Sequence, residues 1–311
     1  MNAVQVFAPA SIGNFAAGFD LLGAAIAPLE GPPLGDRVEA ALAPEDTFAA
    51  DGPFAGQLPP EPRDDLVLKA RDAFARAWGR TLPPLALRLH KELPVGSGLG
   101  SSSTSVVATL VALDVLLGAG LDEAALLRAA GETEAHASGG WHLDNVAPAL
   151  LGGLRLVDAA GAARALPFPD RLVFAVASPD LRLDTSDARR VLPARVPLAL
   201  ATAHAQNLAS LVLALLAGDD ALRRTCLRDL LAEPHRARLV RGFRQVQAAA
   251  LDLGAEGCTY SGAGPAIFAV ADRDRAPAVA RAMAAAWTRA GVPCRVRLCR
   301  LEGQGARILQ R

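Results

Sequence analysis

Apolar positions along this chain fall into blocks of two different periods. Residues 4–8 predict a short strand, the Pro- and Gly-bearing stretch 9–20 predicts turns, and 21–26 predicts a second extended segment. Pro and Gly clusters at 28–35 and 52–62 read as loops. From residue 66 the period changes, with Leu66, Ala70, Ala73, Phe74 and Ala77 recurring on one helical face as far as Trp78. A strand is expected at 85–89. After it comes the run PVGSGLGSSS (94–103), leading into an apolar helix at about 101–118 that carries Val106, Val107, Leu110, Val111, Leu113 and Leu116. Asp122 opens another helix to about 137, its acidic start suited to the positive helix end. A short helix at 144–150 should break at Gly152-Gly153, before a strand at 154–157.

The Ala- and Gly-rich residues 158–166 mark the expected boundary between an N-terminal domain, 1–160, and a C-terminal one, 161–311. The second half predicts a strand at 172–177, a helix at 197–217 and helices near 219–231 and 236–252. Strands at 257–261 and 267–271, a helix at 276–290 and a last strand at 294–301 complete it. Without regular βαβ alternation, this mixture points to an α+β fold rather than a doubly wound sheet.

Composition narrows the function classes. Half of the 311 residues are apolar (51%), enough for a substantial core. No stretch reads as a clean membrane span; the nearest, 106–117, is too short and carries Asp114. No charged-then-apolar leader opens the chain, so a soluble, cytoplasmic protein without a membrane partner is expected. Thirty-two basic and 32 acidic residues cancel, removing the basic face that nucleic-acid binding needs. Cys226, Cys258, Cys294 and Cys299 form no CxxC pair, so neither a zinc cluster nor a disulfide framework is expected.

The chemistry concentrates at 94–103. Glycines let successive backbone N–H groups turn inward, and the helix that follows adds unpaired donors and a partial positive charge. Together these make a phosphate cradle. No Lys follows in the GxxxxGK[ST] arrangement, and serines stand where GxGxxG would place its third glycine.

Three motifs resemble those of the GHMP kinases: APASIGNFAAGFDLLGAAI (8–26), PVGSGLGSSS (94–103) and TYSGAGPAIFAV (259–270). Two more, HLDNVAPALLGG (142–153) and EPHRARLV (233–240), are similar to those of the homoserine kinases within that family. The resemblance implies a two-domain α+β architecture with the active site in the inter-domain cleft. It also implies ATP and Mg²⁺, L-homoserine as phosphoryl acceptor, and a homodimer. A GHMP kinase for another small alcohol, of mevalonate or sugar type, is the alternative enzyme; a non-catalytic ligand sensor is the alternative of another class.

By the same resemblance ATP is held by Pro94, Val95, Gly96, Ser97, Gly98, Leu99, Gly100, Ser101, Ser102 and Ser103. Asp65 stands near the adenine pocket where the family usually has Asn, and an ionised Asp can accept but not donate a hydrogen bond. Ser102 and Glu134 match the Mg²⁺ ligands. For the acceptor, Asp20 would take the ammonium with Asn14 beside it, and Arg189 and Arg236 would grip the carboxylate, Arg's planar fork suiting two parallel bonds. Thr185 and Gly262 are further contacts. Asn145 falls where mevalonate-type kinases carry a catalytic Asp and would orient the hydroxyl; Asp144 is the alternative, as general base. His142 reads as a structural partner.

Overall fold

The computed structural model describes residues 3–138 and 140–311. The chain opens with β1 (Val4–Pro9), β2 (Ser11–Ile12), β3 (Leu22–Pro28), β4 (Gly35–Leu42) and β5 (Thr47–Asp51). Then come α1 (Leu66–Trp78), β6 (Leu85–His90), α2 (Ser101–Leu117), α3 (Glu123–Ser138), α4 (Val146–Leu151), β7 (Leu154–Val157) and β8 (Ala163–Leu166). The remainder is β9 (Leu172–Pro179), α5 (Thr185–Arg190), α6 (Leu198–Ala217), α7 (Asp220–Cys226), α8 (Glu233–Arg236), α9 (Phe243–Asp252), β10 (Gly257–Tyr260), β11 (Ile267–Asp272), α10 (Ala276–Arg289), β12 (Cys294–Leu301) and β13 (Arg307–Gln310).

Two sheets organise these elements, and the α+β class holds. The first has the order β13-β1-β4-β6-β5, with only β5 and β6 parallel. The second runs β10-β11-β9-β12-β3-β7-β8, antiparallel throughout, with β2 added to β3. Residue 160 falls inside the β7–β8 hairpin, and β3 of the first half pairs with β12 of the second, with β7 next beyond β3. Residues 158–166 look like a linker because small residues also suit a tight hairpin.

Helix α2 packs on β1 and β4 and is covered by α1, α3 and α4. Enclosure on both sides explains why it is apolar all round rather than striped. The second sheet buries Phe15, Phe174 and Phe268 on one face, and Val173, Ala175 and Ile267 against Phe243, Met283 and Trp287 on the other. This two-faced burial is why β9 and β11 read as continuous apolar runs.

Several elements differ from the sequence reading. Central strand β4 was not anticipated; its Arg37 and Glu39 alternate with buried Val38 and Ala40, and the preceding Pro and Gly mask the pattern. The helix expected at 236–252 is divided by Gly242, whose φ of 87° is left-handed, so α9 starts only at Phe243. The one at 219–231 ends at Cys226, because Asp229 accepts the N–H groups of Leu231, Ala232 and Glu233 and starts α8 instead. Among the described residues, helix α6, rather than 106–117, is the one helix apolar and long enough by length and composition to cross a membrane. Here one stripe, with His204, Asn207, Leu211, Ala214 and Leu215, is buried, and Asn207 donates to the carbonyls of Cys226 and Arg228, while Leu213 and Leu216 on the other side are exposed.

A buried ion pair ties α2 to the first sheet. Lys91 Nζ lies 2.6 Å from Asp36 Oδ2 and also donates to the Ser101 carbonyl at 2.6 Å and Ser105 Oγ at 3.0 Å. Asp36 in turn accepts Thr104 Oγ1, Ser105 Oγ and the N–H groups of Glu92 and Leu93. Both side chains are almost wholly buried. Removing one partner of such a pair leaves an uncompensated charge, so Asp36→Ala should lower unfolding stability by about 3–5 kcal/mol. Asp36→Leu combined with Lys91→Met should recover most of that loss. Urea unfolding of the three proteins checks both outcomes.

Candidate active site

The loop after Pro94 turns through three left-handed glycines, Gly96 (φ 70°), Gly98 (φ 80°) and Gly100 (φ 68°). A Cβ on Gly98 would lie 2.7 Å from the Ser261 carbonyl oxygen, and one on Gly100 only 2.1 Å from Ser11 Oγ. Glycine is needed because a second glycine turn and β2 press against the loop. Ser261 Oγ donates to the Gly98 carbonyl at 2.6 Å, and the Ala266 N–H to the Ser97 carbonyl at 3.1 Å. Helix α2 then begins at Gly100 with no side-chain cap and no acid in its first turn, leaving its positive end open. The Ser97 hydroxyl is buried without a partner in the described structure.

Beside this cradle, Ser102 Oγ and Ser103 Oγ donate to the two carboxylate oxygens of Glu134 at 3.1 and 3.0 Å. Burial pushes the Glu134 carboxyl above the ordinary carboxylate range, against the two serine bonds. The donors here are all oxygen, one carboxylate and hydroxyls, which suits a hard cation. Among the described residues no three His, Cys, Asp or Glu side chains converge to hold a metal by themselves, so a cation at this corner would share phosphate oxygens.

The loop opens into a cavity of about 470 Å³, which is also lined by Asp20, Asp144, Asn145, Arg189 and Arg236. Asn14 organises that side from a left-handed backbone, φ 52°. Its Oδ1 accepts the Asp20 N–H, its Nδ2 donates to the Gly262 carbonyl, and its N–H donates to Asp144 Oδ2, each at 2.8 Å. Arg189 forks onto both oxygens of Asp20, at 3.0 and 2.7 Å, and lies 3.1 Å from His142 Nδ1. Arg236 is buried, bonded to the carbonyls of Gly262 and Ala188, while the Tyr260 hydroxyl donates to its own carbonyl. Both guanidinium groups lie over the Phe19 ring, at 5.5 and 5.4 Å.

Asn145 Oδ1 accepts from Ser11 Oγ at 2.9 Å, at the junction of Gly13, Gly100 and Gly262. Its neighbour Asp144 is buried, and burial with the nearby Asp20 charge pushes its carboxyl up to about 7. Burial and the Arg189 charge hold the Arg236 guanidinium below its ordinary value.

The family model for the GHMP kinases N terminal domain matches residues 65–153, and that for the GHMP kinases C terminal domain matches residues 211–289. A crystal structure of homoserine kinase from Cytophaga hutchinsonii is similar at 34% identity and a TM-score of 0.90, covering 99% of this chain and 98% of that one. The chain belongs to the GHMP kinases. As such it is an ATP-dependent kinase of small molecules. Two further structures are similar in fold. A putative homoserine kinase from Listeria monocytogenes has 23% identity and TM-score 0.71, covering 99% of this chain and 100% of that one. Streptococcus pneumoniae phosphomevalonate kinase, in complex with phosphomevalonate and AMPPNP, has 17% identity and TM-score 0.70, covering 96% and 100%.

Within this GHMP kinase, one cavity gathers nearly all the residues singled out from sequence, from Asn14 to Gly262, Thr185 among them. Pro94 and Leu99 are not among its walls; the Leu99 side chain belongs to the core with Phe15 and Phe268. Ser101 and Ser103 line the cavity but donate their hydroxyls to the Leu93 carbonyl and Glu134, so the cradle rests mainly on backbone. Asp65 also lines the cavity, yet its Oδ1 caps α1 by accepting the Val67 N–H at 2.8 Å. An Asp directly before an apolar helical period is a cap signature, and that signal was available in sequence. Asp20 and Arg189, expected to hold opposite ends of a ligand, hold each other here. The Asp36–Lys91 support beneath the loop was not foreseen, because lone charges give no spacing signal.

A raised carboxyl pKa carries a linkage consequence. Between the unfolded value of 3.8 and about 7, native Asp144 keeps a proton that the unfolded chain has lost, so its contribution to stability falls as pH rises through this window. The full cost, on the order of 4 kcal/mol, is reached above the native value. Asp144→Asn keeps an oxygen for the Asn14 N–H and should gain on the wild type in thermal unfolding from about pH 5 to about pH 8. Parallel pH profiles for the two proteins would disprove the assignment.

Proposed function

We propose that this kinase transfers the γ-phosphoryl group of ATP to the side-chain hydroxyl of L-homoserine, giving O-phospho-L-homoserine, a step toward threonine. The observation that carries this reading is the carboxylate of Asp20 set with the guanidinium groups of Arg189 and Arg236 in the same cavity as the phosphate cradle. A zwitterionic amino acid offers the complement of such a set. Its ammonium would take Asp20 and its carboxylate the fork of Arg189, replacing one internal ion pair with two external ones. A mevalonate-type acid has no ammonium and would leave Asp20 unpartnered in the cleft.

The reaction follows from positioning. The backbone of 96–102, the Ser97 hydroxyl and the open end of α2 would hold the phosphates. Mg²⁺, when bound, would be held by Ser102 and Glu134 and would neutralise charge on the phosphate oxygens. Asn145, oriented by Ser11, would align the acceptor hydroxyl in line with the γ-phosphorus. A bond forms from the hydroxyl oxygen to phosphorus, the bond from phosphorus to the ADP oxygen breaks, and the hydroxyl proton leaves to a phosphoryl oxygen. Asp144 supports Asn14, and through it Asp20, as a positioning residue. The working assembly, by family resemblance, would be a homodimer, which light scattering measures.

ADP release measured side by side with L-homoserine, mevalonate and galactose should favour homoserine; no such preference would remove the assignment. ATP and homoserine binding without phosphohomoserine would instead make the protein a sensor. Asp20→Asn keeps the backbone bond to Asn14 and should raise the homoserine KM by about 10- to 100-fold, the worth of a charged hydrogen bond, with the ATP KM nearly unchanged. Asn145→Ala should lower kcat on the order of 100-fold without moving the acid limb of the pH–rate profile. A shifted limb in Asp144→Asn would instead make Asp144 the base.

A further inference from the structure

A second cavity, of about 430 Å³, shares no lining residue with the catalytic one. Its floor is β12 and its walls are the 28–34 loop and Glu92. The loop is pinned there by the Leu29 N–H, which donates to the Leu298 carbonyl at 2.8 Å. Strand alternation puts Arg295, Arg297 and Cys299 on one face of the sheet, and Cys299 identifies that face because it packs in the core with Phe174 and Leu34. Arg295 and Arg297 are therefore neighbours of like charge over the cavity floor.

The Glu92 carboxylate charge acts on Arg297, but no hydrogen bond ties the two together. Among the described residues Arg171, Arg189, Arg223 and Arg244 each fork or pair with a carboxylate, whereas neither Arg295 nor Arg297 donates a side-chain hydrogen bond or forms an ion pair. Arg297 is half-buried, and burial together with the Arg295 charge holds it below its ordinary value, against the opposing pull of the Glu92 carboxylate. Across the ladder from Arg295 stands Ser178, whose buried hydroxyl also lacks a partner. The walls are mostly apolar, from Leu29, Pro33 and Leu34, with Glu30 and Glu92 among them.

We propose that this cavity binds a small organic anion. Its carboxylate or phosphate group would lie in the forks of Arg295 and Arg297, and its short carbon stem against Leu29 and Leu34. Two planar guanidinium groups side by side match an oxyanion through parallel bonds and lose their mutual repulsion when it binds. The volume lies in the range of small-molecule sites. Glu30 and Glu92 limit the negative charge the cavity can take, which favours a ligand with one small anionic group over an extended polyanion.

The test uses the full chain with its catalytic cavity saturated by a nonhydrolysable ATP analogue. Butyrate, propyl phosphate and butylammonium are titrated at constant ionic strength, and the arginine side-chain Nε–H resonances are followed by NMR. The two anions should shift the Arg295 and Arg297 signals saturably with a Kd near about 1 mM, while butylammonium should not. The tighter anion identifies the ligand as a carboxylate or a phosphate ester. Arg295→Met with Arg297→Met keeps the stems, should weaken binding at least about 10-fold and should leave the melting temperature equal or higher. Should the double variant fail to fold, Arg295→Met alone, at an exposed position, serves with the same expected direction. No saturable shift up to about 50 mM, or undiminished binding in the variant, would overturn the proposal.

Discussion

Five donors converge on one buried carboxylate, Asp36, and the geometry of the phosphate cradle depends on them. The Lys91 ammonium neutralises it; the hydroxyls of Thr104 and Ser105 fix the first turns of α2; the N–H groups of Glu92 and Leu93 fix the strap leading to Pro94. The glycine loop is thus fastened at both ends to the same group. The three left-handed glycines between those ends are costly to order, because glycine loses most conformational freedom on folding. A buried ion pair adds little net stability of its own, but its geometry is specific. Holding backbone donors at fixed positions is the property that phosphoryl transfer needs.

The acceptor side shows the complementary arrangement. Its charges are already partnered: Asp20 with Arg189, Asp144 with the Asn14 backbone, Arg236 with two carbonyls. Among these, the Asp20–Arg189 pair is part-exposed, whereas Arg236 is almost wholly buried. Under the proposed function the outer pair is the part that a ligand's own charges would replace. The two sides of the cleft are joined by Asn14 and Ser261, which reach the second and first glycine turns respectively.

Much of the local architecture was legible in sequence because it rests on period and turn chemistry. The apolar face of α1, the continuous apolar run of α2, the glycine loop between β6 and α2, and the strand pair 257–261 and 267–271 all announce themselves locally. Strand β4 was hidden because charged Arg37 and Glu39 and a preceding Pro-Gly cluster outweigh two buried apolar side chains. The splitting of the 236–252 helix turns on one backbone angle at Gly242. Of the site, the motif residues were legible, and so was the Asp65 cap by its place before the helical period; the employment of Ser101 and Ser103 as internal donors was not.

Sequence alone therefore determined a glycine cradle before a core helix, an α+β fold, and the residue types that could hold a phosphate, a cation and a zwitterion. These are properties of short stretches, where dihedral preference, periodicity and charge act locally. Only the tertiary structure decided that the two glycine turns touch and that one sheet joins strands from both halves. It alone decided that Asp20 and Arg189, 169 positions apart, neutralise each other, and that Asp36 anchors the loop. Each of these depends on distances between segments remote along the chain. Such distances are set by how the core closes, which no single segment encodes.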